Sequence, residues 1–208
     1  MRLAACFPCL LLVTPASAGH QLQPEASVGV YVSFEQAPRE ILPAALREEV
    51  RSILAPLGFH IEWRDMAAAG AEAWADLAVV TFQGHCDFDG TAFPAFVPGA
   101  LGWTRVTDGH IQPFAEIDCD RIGSLVQNRL RALPFEDRER LFERAVARVV
   151  AHELYHVFVR TLVHGETGAG KAEFTASDLL SDRFPFRAEQ ARALRQSSAR
   201  DLEELAGP

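Results

Sequence analysis

The chain has little cysteine, a single lysine and no apolar run long enough to span a bilayer. Its 208 residues contain four cysteines and two methionines, and Lys171 is the only lysine among twenty basic residues. The apolar run over residues 3–13 is shorter than the roughly 20 residues of a transmembrane helix, and Pro8 interrupts it. We therefore expect no stable membrane insertion. The sequence also lacks a P-loop, a dinucleotide-binding fingerprint and a Ser-His-Asp order.

Charge and composition narrow the class of protein further. The formal net charge of −8 argues against nucleic acid or an anionic membrane as a partner. Apolar residues make up 49% of the chain and charged residues 23%, which is typical of a globular protein. A chain of this length can form one domain with a sizeable core.

The first residues have the features of an export signal. Arg2 supplies a positive charge, residues 3–13 are mostly apolar, and the Ala-Ser-Ala tripeptide at 16–18 resembles a signal-peptidase site. We therefore interpret residues 1–18 as a signal peptide. Residues 19–208 are predicted to form a single exported domain, either periplasmic or extracellular.

Removal of the signal peptide would leave two cysteines in the mature chain. Cys6 and Cys9 would be lost, and Cys86 and Cys119 would remain. Two cysteines in an exported protein favour one disulfide, although two free thiols are the alternative.

Hydrophobic periodicity predicts alternating strands and helices. Apolar and alternating runs predict strands over 28–34, 59–63, 77–82, 101–106 and 111–117, and helical spacing predicts helices over 43–54, 134–162 and 188–206. This order predicts a mixed sheet covered by helices. Residues 84–99 are predicted to form a long loop. The last two strands are predicted to form a hairpin whose edge an extended peptide can join by strand addition.

The clearest indication of a functional site is the segment His152-Glu153-Leu154-Tyr155-His156. It reads H-E-x-x-H inside the long predicted helix, so its two histidines lie one turn apart on one face. Both imidazoles can then reach one Zn²⁺, with Glu153 beside the open coordination position. Tyr155 is a candidate for supporting the ligands or stabilising an oxyanion, but its position one residue before His156 favours a side chain that faces away from the metal.

A catalytic zinc ion usually has three protein ligands, so a third ligand must follow the motif. The downstream candidates are His164, Glu166, Glu173 and Asp178. A straight helix would carry His164 about 12 Å beyond His156, so the chain must turn before His164 can bind. Spacing favours His164 over Glu173 and leaves both open. Asp178 fits a T-x-x-D capping pattern at the start of a short helix, which predicts a structural role.

The segment 152–180, HELYHVFVRTLVHGETGAGKAEFTASDLL, resembles the secreted bacterial metzincin-like zinc peptidases. Their pattern is H-E-x-x-H, seven residues, a third histidine, a glycine, a short element with a basic residue and alanine, and a D-L pair. The matching positions are His152, Glu153, His156, His164, Gly168, Lys171, Ala172, Asp178 and Leu179. The resemblance implies that His152, His156 and His164 bind zinc and that Glu153 is the catalytic acid/base.

Two features differ from the usual metzincin signature. That signature has five residues, one of them glycine, between the second and third histidines. Here seven residues, 157–163, separate them, and none is glycine. The methionine of the usual Met-turn is also missing, and Gly170 stands about where it would fall.

These observations together predict an exported zinc metallopeptidase that hydrolyses peptide or protein substrates. The resemblance implies a zincin-like α+β fold, in which a mixed sheet packs against a long active-site helix and further helices follow. Zinc would activate a water molecule, with Glu153 as general base and acid. One alternative is a non-catalytic secreted or envelope binding protein on the same scaffold. The other is a structural helix on which the H-E-x-x-H pattern is coincidental.

Overall fold

A five-stranded mixed sheet forms the centre of the molecule. The computed structural model describes residues 26–70, 72, 74–87 and 92–206. The strands are β1 (Ala26–Phe34), β2 (Phe59–Asp65), β3 (Asp76–Gln83), β4 (Gly102–Thr107) and β5 (His110–Asp118). Their order is β2-β1-β3-β5-β4, and only the β4–β5 pair is antiparallel. All five strands match predicted ones to within a few residues.

One face of the sheet forms the core. Alternate residues of β1, β3 and β5 are buried on this face because side chains along a strand point to opposite sides. The residues concerned are Val28, Val30, Val32, Ala78, Val80, Phe82, Ala115 and Ile117. These residues and the apolar side of the longest helix form one hydrophobic cluster. This cluster fixes the helix against the sheet.

Five α-helices accompany the sheet in the described part of the chain. They are α1 (Ala44–Leu54), α2 (Cys119–Leu130), α3 (Phe135–Val159), α4 (Ala176–Leu180) and α5 (Ala188–Ala206). Helices α1, α3 and α5 correspond to helices predicted from periodicity, and α4 corresponds to the short helix predicted from the capping pattern. Helix α3 runs without a break and ends at Val159, three residues before the predicted end, because Arg160 adopts a left-handed conformation with φ of 57°.

Helix α2 has no counterpart in the sequence prediction. Its apolar residues Ile122, Val126 and Leu130 recur every fourth position and are fully buried. Asp118 caps its first turn, since Oδ1 accepts a hydrogen bond of 2.8 Å from the Arg121 amide. The structure therefore gives Asp118 a capping role.

The predicted disulfide between Cys86 and Cys119 is present. It joins the loop that follows β3 to the first residue of α2. The segment that leads into the edge strand β4, which includes Phe96 and Leu101, lines the cleft described below.

Two further predictions concern membranes and export. None of the helices in the described part of the chain combines the length and the apolar character needed to span a bilayer. The predicted signal peptide, residues 1–18, lies outside the described residues.

Candidate metal centre

Helix α3 brings the two motif histidines to one buried face. His152 and His156 are four residues apart on the helix, and both are at least 96% buried. The helix is packed against the sheet on the side that carries Phe142, Val146 and Val149. The imidazoles therefore project from a rigid support.

Backbone carbonyl groups fix the orientation of both imidazoles. His152 Nδ1 lies 2.8 Å from the Ala169 carbonyl oxygen, and His156 Nδ1 lies 2.7 Å from that of Thr161. A carbonyl oxygen only accepts, so each Nδ1 carries the proton and donates it. Each Nε2 is then left with a lone pair, which is the form that binds a metal ion.

Burial also keeps these two histidines neutral. It lowers the pKa of His152 to about 3, and the neighbouring His156 adds to this effect. Burial likewise lowers the pKa of His156 to about 4. Both side chains therefore offer unprotonated Nε2 atoms at neutral pH.

His164 completes the cluster because the chain turns sharply after α3. Arg160 makes the turn in a left-handed conformation that glycine would adopt more easily. His164 Nε2 comes to 3.1 Å from His156 Nε2, which itself lies 3.1 Å from His152 Nε2. The three ligand atoms all lie within 4.8 Å of one another.

The donor set fits a metal ion. The Nε2 atoms of His152 and His156 are both hydrogen-bond acceptors, so their lone pairs repel each other at 3.1 Å. A cation between the three nitrogens removes this repulsion. Tetrahedral zinc with Zn–N bonds of about 2.0–2.1 Å would hold its nitrogen ligands roughly 3.3–3.4 Å apart, close to the observed spacing.

Glu153 lies next to His152 and is held by the edge strand. Its Oε2 accepts a hydrogen bond of 2.8 Å from the Thr104 hydroxyl group. Burial raises the pKa of Glu153 to about 7, and the Thr104 hydrogen bond opposes this shift. Gly102 makes room for the pair, because a Cβ atom there would lie 3.1 Å from Glu153 Cγ and 3.0 Å from the Val149 side chain.

A cleft of about 700 Å³ opens beside the three histidines. One side is formed by the loop before β4 and by β4 itself, and the other by the segment after His164. The lining residues include Phe96, Leu101, Gly102, Trp103, Thr104, Leu125, Val149, Leu162, Glu173, Phe174 and Ala176. Most of the side chains that line the cleft are apolar.

The other predicted ligand candidates lie outside the cluster. Glu173 is exposed and lines the cleft, but it is not among the three grouped ligand atoms. Asp178 has the predicted capping role, since Thr175 Oγ1 accepts from its amide and its carboxylate accepts from the Thr175 amide. Tyr155 points away as expected, and its hydroxyl group donates to the Val163 carbonyl oxygen.

Phe174 packs against the cluster although the Met-turn methionine is missing. Its ring meets the His152 ring edge-on, with centroids 5.1 Å apart. Gly170, which stands where the methionine was expected, is buried against the Gln190 side chain. Sequence reasoning did not single out Phe174 or Thr104, because no spacing rule links either residue to the motif.

Among the comparisons with known proteins, only solved structures show a likeness to this chain. No protein-family model matches the chain, and no curated protein sequence matches it. Among solved structures, archaemetzincin from Methanopyrus kandleri matches with a TM-score of 0.50 and 11% identity, over 86% of this chain and 96% of that one. At this identity the likeness concerns the fold alone. It confirms the predicted α+β, zincin-like class of the mixed sheet and helices.

Proposed function

We propose that the protein is a zinc-dependent peptidase. The observation that supports this proposal most strongly is the convergence of three Nε2 atoms within 4.8 Å beside a buried glutamate. His152, His156 and His164 would hold the ion. Bound zinc would supply Lewis acidity toward a water molecule and a peptide carbonyl group.

Residues of the chain would transfer the proton and orient the groups at the site. Glu153 accepts a proton from the attacking water and returns it to the amine nitrogen as the carbon–nitrogen bond breaks. Thr104 holds one of the two carboxylate oxygens of Glu153, so that the carboxylate keeps one orientation. The carbonyl oxygens of Ala169 and Thr161 keep His152 and His156 in the metal-binding tautomer.

The substrate in this proposal is an extended peptide lying along β4. This strand pairs with β5 on one side, and Gly102, Trp103 and Thr104 line the cleft on the other. An extended chain can add to such an edge through main-chain hydrogen bonds. The apolar lining favours peptides with uncharged side chains next to the cleaved bond.

Export of a single domain is also part of the proposal. Residues 1–18 would be removed and residues 19–208 would act outside the cytoplasm. The Cys86–Cys119 disulfide supports an oxidising compartment, where such bonds persist.

A comparison of the wild type with Glu153→Gln tests the proposal. We expect the wild type to bind one zinc ion per chain and to cleave a broad peptide library. The Gln variant should keep the metal and lose turnover, because an amide cannot accept the proton. Undiminished cleavage by the variant would refute the role of Glu153. Metal binding without any cleavage by the wild type would favour the alternative, a non-catalytic binding protein.

A further inference from the structure

The side chains of the loop that carries His164 do little to fix the position of that loop. It spans residues 160–164, and its two apolar side chains, Leu162 and Val163, are 55% and 65% exposed. Side chains this exposed do little to fix a backbone. Apart from the contacts of the His164 ring with His152 and His156, the hydrogen bonds of the loop backbone are therefore the contacts that can fix the position of His164.

Two of these hydrogen bonds are donated by side chains of helix α3, in addition to the backbone hydrogen bonds of Arg160 and Thr161 to its last turn. One is donated by His156, itself a candidate ligand, to the Thr161 carbonyl oxygen. The other is donated by the Tyr155 hydroxyl group to the Val163 carbonyl oxygen over 3.0 Å. The Val163 carbonyl group belongs to the peptide unit that leads directly into His164. Fixing this group therefore fixes the backbone from which the His164 imidazole projects.

Tyr155 is suited to this task because its own side chain is buried and packed against other rings. It is 3% exposed, and its ring packs against Phe186 with centroids 5.3 Å apart. The ring also lies against the His156 imidazole, with centroids 5.1 Å apart. The hydroxyl group is thus carried by the same rigid helix that presents the other two histidines.

We infer that Tyr155 is a positioning residue for the metal centre, which holds the loop so that His164 reaches the ion. The inference rests on the proposed zinc site. It gives a function to a residue that faces away from the metal. It also explains how seven residues without glycine can span from His156 to the third ligand with the required precision.

The test compares Tyr155→Phe with Tyr31→Phe. The chain has only these two tyrosines, and each is buried with a hydrogen-bonded hydroxyl group. Tyr31 lies on β1, where it bonds to Glu72 and Trp74 and does not line the cleft. It therefore controls for the general loss of a buried hydroxyl group.

Zinc affinity is measured by competition with a chelator, and the absorption spectrum of the Co²⁺-loaded protein reports ligand geometry. We expect Tyr155→Phe to weaken zinc binding by about 10-fold or more and to alter the Co²⁺ spectrum, since loss of an outer partner typically costs roughly 10–100-fold in metal affinity. Tyr31→Phe should bind zinc as the wild type does. The unfolding midpoints of the two variants in urea show that both are folded.

Three results would overturn the inference. If the wild type binds zinc and Tyr155→Phe binds it equally well, Tyr155 does not position His164, and the proposed function stands. If Tyr31→Phe loses as much affinity as Tyr155→Phe, the effect is one of general stability. If the wild type has no affinity for zinc, the metal site and this inference fail together.

Discussion

The Glu153 carboxylate depends on a residue from a different element of the fold. Thr104 belongs to the edge strand β4, and its hydroxyl group is 2.8 Å from Glu153 Oε2. The same strand lines the cleft in which a peptide would lie. The orientation of the Glu153 carboxylate is therefore linked to the strand that would bind the substrate.

We predict that Thr104→Val lowers kcat by roughly 10-fold and leaves KM and zinc content almost unchanged. A hydrogen bond to a charged group is worth about 1.5–3 kcal/mol, and valine keeps the shape of threonine without the hydroxyl group. Thr104→Ser should restore most of the activity. Steady-state kinetics with metal analysis check this, and a wild-type kcat in the valine variant would rule out the orienting role.

Glu143 on α3 provides a residue-scale test of electrostatics away from the metal. Burial raises the pKa of Glu143 to about 7, and the negative charges of Glu139, Glu40 and Asp87 add to the shift. The unfolded chain releases this proton near pH 4.5, whereas the folded protein keeps it until about pH 7. Protonated Glu143 therefore favours the fold at low pH, and this contribution is lost as the pH rises toward 7.

We predict that Glu143→Gln matches the wild type in melting temperature at pH 4 and exceeds it at pH 8. Glutamine stays neutral, so no charge is buried at this site at pH 8. Each kcal/mol added to the free energy of unfolding raises Tm by about 2–4 °C. Glu48→Gln is the control, because Arg51 lowers the pKa of Glu48 on the surface. Thermal scans that show no gain for Glu143→Gln at pH 8 would contradict the assignment.

At the scale of elements, Arg148 joins three helices. It is 1% exposed, and its Nε donates to Glu49 of α1 over 2.6 Å. Its Nη1 donates to the carbonyl oxygens of Asp178 and Leu179 in α4. Its guanidinium group also lies over the Phe184 ring. Arg148 thus fixes helix α4, in the segment that follows His164, against helix α3.

We predict that Arg148→Met lowers the free energy of unfolding by about 3 kcal/mol, because it leaves a carboxylate and two carbonyl groups without their buried partner. Arg140→Met is the control. Arg140 pairs with Asp137 on the exposed side of the same helix, and such pairs contribute about 0.5 kcal/mol or less. Urea denaturation gives both values. A loss below about 1 kcal/mol for Arg148→Met would show that the contacts are dispensable.

The elements differ in how far the sequence predicts them. The strands and helices α1, α3 and α5 follow from hydrophobic periodicity, because each buries one continuous face. The sequence prediction assigned no helix over 119–130, although the spacing signal was there. The end of α3 could not be predicted, because Arg160 takes a conformation that its residue type rarely adopts.

At the scale of the whole molecule, the candidate site combines residues that are local in sequence with residues that are distant. The H-E-x-x-H spacing predicts that His152 and His156 come together on one helix face. Spacing alone left both His164 and Glu173 open as the third ligand, because the sequence does not give the path of the loop. Thr104, from β4, reaches Glu153 across 49 positions of sequence, a pairing that no local pattern encodes.

The disulfide ties distant parts of this fold together. It joins Cys86 and Cys119, which are 33 positions apart in the sequence. We predict that the Cys86→Ala/Cys119→Ala double variant loses about 3–4 kcal/mol of unfolding free energy, mainly because its unfolded chain is less constrained. Chemical denaturation of the oxidised protein and the variant checks this. Equal stability would mean that the bond adds nothing to the fold.

His152, His156 and His164 are proposed to hold one zinc ion. Anomalous diffraction at the zinc edge from metal-loaded crystals tests this assignment most directly. We predict one strong peak, about 2.0–2.1 Å from the Nε2 atom of each of the three histidines. A peak that is coordinated by Glu173 in place of His164, or no peak at all, would contradict the account.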